Sequence, residues 1–127
     1  VATGYYVTEG AGAKAAMGIE NRVPGEFSLV QNYPNPFNPT TTIHYTLPEA
    51  RRRTQDARQE SFHVSLKIYN IVGQLVRTLV VESQLPGYYS VSWDGKSDNG
   101  QPAASGIYFY RLKTNDFVKS RKMVIIR

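Results

Sequence analysis

The 127 residues contain no cysteine, which excludes disulfide frameworks, thiolate metal sites and thiol nucleophiles. The two histidines, His44 and His63, are too few for a three-histidine metal site. Apolar runs do not exceed four residues, as in Met123 to Ile126, so no stretch is long enough to cross a bilayer as a helix. The sequence begins at Val1 with neither a basic nor an apolar leader pattern. If the chain is exported, its leader has been removed.

What is present has the balance of a single globular domain. Hydrophobic residues make up 41% and charged residues 20%, enough for one core and against a wholly disordered chain. The formal net charge of +5 is concentrated late. Arg111, Lys113, Lys119, Arg121, Lys122 and Arg127 face only Asp116, whereas residues 1–110 sum to zero. Such a segment could serve nucleic acid, anionic lipid or an acidic receptor face, or be a solvated strand face with edge-protecting lysines. No nucleic-acid-binding module accompanies it, and no nucleic-acid partner is expected.

Three regions follow in order. Residues 1–26 are rich in Ala and Gly and read as an arm or linker. Within it Ala11, Ala13, Ala15, Met17 and Ile19 alternate with other residues. One face of an extended strand would therefore be small and apolar, fit for addition to a sheet edge. Residues 27–48 begin with a short strand and enter a rigid turn, Tyr33-Pro-Asn-Pro-Phe-Asn-Pro39, where the prolines fix φ and Asn35 and Asn38 can bond nearby backbone. Thr40 to Leu47 follows as a strand with Thr41, Ile43, Tyr45 and Leu47 inward and His44 outward.

From residue 61 the period is 2. Phe62, Val64, Leu66 and Ile68 alternate with His63, Ser65, Lys67 and Tyr69, which predicts a half-buried strand. Asn70 to Gly73 makes a turn. Leu75 to Glu82 is apolar on both faces and is expected to be central. Tyr89, Val91 and Trp93 share the inward face of the next strand, with Trp93 as the core anchor. Gly106 to Thr114 and Phe117 to Ile126 form a closing hairpin through Asn115-Asp116. Strands spaced this closely with no helical stretch between them indicate an all-β antiparallel sandwich of about seven strands, occupying residues 27–127. Arg51 to Glu60 is charged without apolar periodicity and is read as a loop.

Chemistry is hard to find. Asp94-Gly-Lys-Ser-Asp-Asn-Gly100 gathers oxygen ligands, but Lys96 stands where a calcium loop needs its third ligand and Ser105 where it needs the closing Glu. The stretch is expected instead to be a tight turn, with Asp94 and Asp98 on backbone amides and Gly95, Gly100 and Gly106 at positive φ. No base lies beside a nucleophile, no Gly-x-Ser-x-Gly elbow occurs, and the acids are scattered. No catalytic, cofactor-binding or metal-binding residue is expected, no small-molecule substrate, and no enzyme.

The motifs that remain are Tyr33-Pro-Asn-Pro-Phe-Asn-Pro-Thr40, Leu66-Lys-Ile-Tyr-Asn-Ile-Val-Gly-Gln74, Val76-Arg-Thr-Leu79, Trp93-Asp-Gly95, Asp98-Asn-Gly100, Ala104-Ser-Gly-Ile-Tyr-Phe-Tyr-Arg111 and Lys122-Met-Val-Ile-Ile-Arg127. Taken in this order they resemble the type A C-terminal sorting domain of type IX secretion substrates, which is related to the Ig-like domain of the flagellar hook-capping protein. The resemblance implies a seven-stranded Ig-like sandwich that directs an exported protein through the periplasm and the outer-membrane machinery to the cell surface or beyond. On matching positions the translocon would read Lys122, Met123, Val124, Ile125, Ile126 and Arg127.

A sorting domain follows a passenger, and only 26 residues precede this one. Two readings stay open. The chain is a sorting and anchoring module whose partner is the secretion machinery. Alternatively, it is an extracellular structural subunit that forms a filament with copies of itself, its Ala11 to Ile19 arm completing a neighbour's sheet.

Overall fold

In the computed structural model, residues 24–49 and 61–127 are described. They contain seven strands: β1 (Ser28–Leu29), β2 (Thr41–Leu47), β3 (Phe62–Asn70), β4 (Leu75–Gln84), β5 (Gly87–Trp93), β6 (Gly106–Lys113) and β7 (Val118–Ile125). A three-stranded sheet has the order β1-β2-β5, and a four-stranded sheet the order β4-β3-β6-β7. All pairings within the sheets are antiparallel. The chain is thus the all-β sandwich that the strand spacing predicts.

Alternation decides which face each strand buries. Thr41, Ile43, Tyr45 and Leu47 are buried from β2, and Phe62, Val64, Leu66 and Ile68 from β3. Tyr108, Tyr110, Leu112, Met123 and Ile125 complete the inner layer of the larger sheet. Trp93 is fully buried between Phe37, at 5.7 Å between ring centroids, and Tyr108, at 6.0 Å. His44 and His63 are exposed, as expected of outward positions.

The expectation that Leu75 to Glu82 forms a central strand is wrong. β4 lies at the edge of its sheet, paired only with β3. Its register against β3 shifts twice, between Leu66 and Lys67 and between Ile68 and Tyr69. Lys67 and Leu66 face Thr78 and Val80, so Leu79 is an extra residue, and Leu79 and Val80 are both buried. A bulge of this kind breaks the period of 2 and discourages pairing with another chain. The edge is further covered where Asp98 donates its N–H to Val76 O at 2.9 Å and accepts from Thr78 N at 3.1 Å.

Two buried tyrosines tie the layers together through hydrogen bonds. The Tyr110 hydroxyl on β6 donates to Val30 O at 2.7 Å and accepts from Asn32 N at 2.8 Å. The Tyr45 hydroxyl on β2 donates to Gln84 Oε1 on β4 at 2.6 Å. Burial raises the pKa of both phenols. For Tyr45 the fields of Tyr89 and Glu82 add to that effect against the Gln84 bond. For Tyr110 the Asn32 N–H and the Arg121 charge oppose it.

Tyr110→Phe removes the hydroxyl and leaves a buried N–H and a carbonyl unpaired, so denaturant unfolding should register a loss of about 1.5–3 kcal/mol. Both phenols keep their protons to higher pH folded than unfolded. Their contribution is therefore complete below about pH 10 and lost as pH rises above it. An alkaline titration followed by far-UV circular dichroism and phenolate absorbance should show their ionisation together with unfolding.

Candidate functional site

The segment singled out in the sequence, Lys122 to Arg127, runs out of β7 and is held from several sides. Its local frame is set by the proline-rich stretch. Tyr33 and Thr42 exchange both backbone hydrogen bonds, each at 3.0 Å, which keeps the start of the stretch on the three-stranded sheet. Four residues later the chain has changed sheets. Phe37 N donates to Val124 O and Ile126 N donates to Phe37 O, both at 3.0 Å, so Phe37 pairs with Ile125 in a parallel bridge. Prolines have no N–H to leave unsatisfied during such a crossing.

Buried polar groups shape the crossing. Asn32 Nδ2 donates to Thr41 Oγ1 at 2.9 Å and to Pro34 O at 3.2 Å, and the Thr41 hydroxyl donates to the same carbonyl at 2.8 Å. Side chains then reach the last strand. Val124 N donates to Asn35 Oδ1 at 3.0 Å, Gln31 Nε2 donates to Lys122 O at 2.8 Å, and Arg121 Nε donates to Leu29 O at 2.6 Å. Asn35 was expected to bond backbone close to itself. It bonds the far end of the chain instead, because the crossing lays it beside β7.

Arg127 closes the arrangement. Its backbone N–H donates to Ser105 Oγ at 2.9 Å, its Nε to Ala103 O at 2.6 Å and its Nη2 to Gly95 O at 2.8 Å. Gly95 is buried at φ +80°, and a Cβ there would lie 2.9 Å from both Arg127 Nη2 and Pro39 O. The same turn is fixed by Asp94 Oδ1, which accepts from Lys96 N at 3.0 Å and pairs with Arg77 at 3.2 Å. Trp93 Nε1 donates to Lys96 O at 2.9 Å. Asp94 and Asp98 therefore serve backbone amides, and Gly95, Gly100 and Gly106 have positive φ, as the sequence predicts.

The six residues do not all present themselves to solvent. Met123 and Ile125 are buried in the core, and Val124 is half-buried. Lys122, Ile126 and Arg127 are exposed. Partners of Arg127 such as Ala103 and Ser105 were not legible as site residues, and Gly95 was expected to supply a positive φ, not a close approach. Ala11, Ala13, Ala15, Met17 and Ile19, the candidate strand-addition arm, lie outside the described residues, as does the whole of the Arg51 to Glu60 loop. Among the described residues no group of three or more His, Asp or Glu side chains is placed to hold a metal ion, and no helix is long and apolar enough to cross a membrane.

A family profile of the FlgD Ig-like domain matches residues 43–116, more than half of the chain. The fold is similar to part of dimeric latent PorU from Porphyromonas gingivalis, with 24% identity and a TM-score of 0.56, covering 77% of this chain and 9% of that one. A weaker likeness, with 21% identity and a TM-score of 0.48, covers 80% of this chain and 11% of PorZ from Porphyromonas gingivalis, described as an essential bacterial surface component of the type-IX secretion system. This chain thus spans about a tenth of the length of either solved protein. No curated protein matches it.

A pair of left-handed glycines, Gly73 at φ +88° and Gly95 at φ +80°, separates backbone strain from crowding. Gly73 has φ +88° and nothing within 4 Å of its missing Cβ. Gly73→Ala should cost about 1–2 kcal/mol by thermal unfolding, the strain of a left-handed residue. Gly95→Ala adds a clash with a backbone carbonyl and should cost clearly more.

Proposed function

The chain belongs to the FlgD Ig-like domain family, and from that premise we propose that residues 27–127 are a non-catalytic sorting domain. It directs an exported protein through the type IX secretion machinery to the cell surface. The observation that carries this reading is the convergence of separate motifs on one segment. Asn35 and Phe37 of the proline-rich motif, Gly95 of Trp-Asp-Gly and Ser105 of Ala-Ser-Gly all bond Val124, Ile126 or Arg127. A sequence pattern that resembles a sorting signal is thus also a device for holding residues 122–127 in one geometry.

Holding the segment this way has a physical use. A disordered tail loses conformational entropy when a receptor orders it, whereas a pre-ordered strand has already lost it on folding. Lys122 has no carboxylate partner among the described residues, so its charge is available to an acidic receptor face and speeds encounter. Met123 and Ile125 face the core and would contribute by fixing the strand. Lys122 and Ile126 would contribute by touch.

Deleting residues 122–127 is a poor test, since losing a buried Ile or Met side chain costs about 2–5 kcal/mol each and unfolds the signal along with removing it. Lys122→Glu with Ile126→Asp changes only exposed side chains. In a bacterium with type IX secretion, a passenger carrying this pair should accumulate in the periplasm while the purified domain melts near the parent temperature. Undiminished delivery to the surface would refute the assignment.

A further inference from the structure

The outward face of the four-stranded sheet is unusual in its charge. Register places Lys67 opposite Arg111, Lys113 opposite Ser65 and Val118, and Lys122 opposite Phe109. No Asp or Glu occupies an outward position on β3, β4, β6 or β7. None of these four cations forms an ion pair among the described residues; the two salt bridges there both belong to Arg77, at the edge of the sheet. Like charges directly opposite one another on a sheet are destabilising. Among the described residues the Lys67–Arg111 pair is offset by Arg111 lying 5.2 Å from the centre of the Tyr69 ring, and an anionic partner would relieve it.

One end of this face is apolar. The β3–β4 turn exposes Ile71 at 66% and Val72 at 72%, although Val72 N is fixed by Asn70 Oδ1 at 3.0 Å. The tip is therefore a shaped turn carrying two unburied aliphatic side chains. A groove of about 560 Å3 runs from these two residues past Tyr69 and Phe109 to Arg111 and Ser120. At a strand rise near 3.3 Å, Lys67 and Arg111 stand roughly 13 Å behind the tip. Aliphatic tip, aromatic rings and then cations is the order met on moving outward from the acyl boundary of a lipid layer to its phosphates.

We propose that this tip and the basic face behind it dock the protein on an anionic phospholipid surface, with Ile71 and Val72 entering the acyl boundary and Lys67 and Arg111 meeting headgroup phosphates. A soluble polyanion such as an acidic glycan would satisfy the cations but leave the aliphatic tip in water. The proposal does not depend on the sorting role, which rests on the chain beyond Arg121.

The test is sedimentation of the 127-residue chain with vesicles of phosphatidylcholine alone, or containing about one third phosphatidylglycerol. Binding is expected only to the anionic vesicles, and it should weaken as salt rises from about 0.1 M to 0.5 M. Each cation near such a surface is worth about fivefold in affinity, so Lys67→Gln with Arg111→Gln should lower binding roughly 30-fold. Ile71→Ser with Val72→Ser should also lower it while keeping the salt dependence. All four side chains point outward, so near-parent melting temperatures verify the folds. Failure to bind anionic vesicles, or binding unchanged by either pair, overturns the proposal. So does retention of dextran sulfate, with vesicles left unbound.

Discussion

The sandwich depends on one stretch of chain belonging to two sheets. At Tyr33 both backbone groups are committed to Thr42 in the three-stranded sheet, and at Phe37 both are committed to β7 in the four-stranded one. The intervening residues must cross between layers without stranding buried donors. Prolines do this because they have no N–H, and Asn32 with Thr41 occupies the carbonyl of Pro34 from inside. Once Phe37 is in place, its ring packs beside Trp93 and its backbone completes part of the β7 edge. A crossing of this kind joins the start of the domain to its last strand, so the two layers, already packed through one core, are also fastened at their margin.

That fastening gives β7 two characters. Its inward residues Met123 and Ile125 are core, while Lys122 and Val124 belong to the outward face and Arg127 is threaded onto the carbonyls of Gly95 and Ala103. Lys122 is common to the proposed receptor-facing segment and to the basic face proposed to meet lipid phosphates. A domain lying on a surface through that face would have this side chain engaged, and a receptor would compete for it. The two roles would then be successive on one molecule and need no hinge or rearrangement of the sandwich.

Much of this was legible because alternation is local. The buried sets Thr41, Ile43, Tyr45, Leu47 and Phe62, Val64, Leu66, Ile68 follow from counting by twos, and Trp93 stood out as the largest apolar side chain in phase with its strand. Asp94, Asp98 and three glycines indicated a tight connection rather than an ion site. Counting by twos fails at β4. The register shift between Leu66 and Lys67 turns Leu79 and Val80 both inward, so an edge strand has the composition of a central one. The partner of Asn35 was missed for a related reason, since a short amide side chain has local and distant acceptors and donors of equal chemistry.

By itself the sequence determined the class of fold, the positions of most strands and the identity of the core, because each rests on side-chain periodicity and on the backbone limits of Gly and Pro. Only the tertiary structure decided which strand lies at an edge, that Phe37 pairs in parallel with Ile125, and that Arg127 caps the turn after Trp93. The last depends on carbonyls supplied by residues 95 and 103, brought to one point by the packing of two sheets. Pairing across such separations is selected by the free energy of the whole core, to which no local stretch of residues has access.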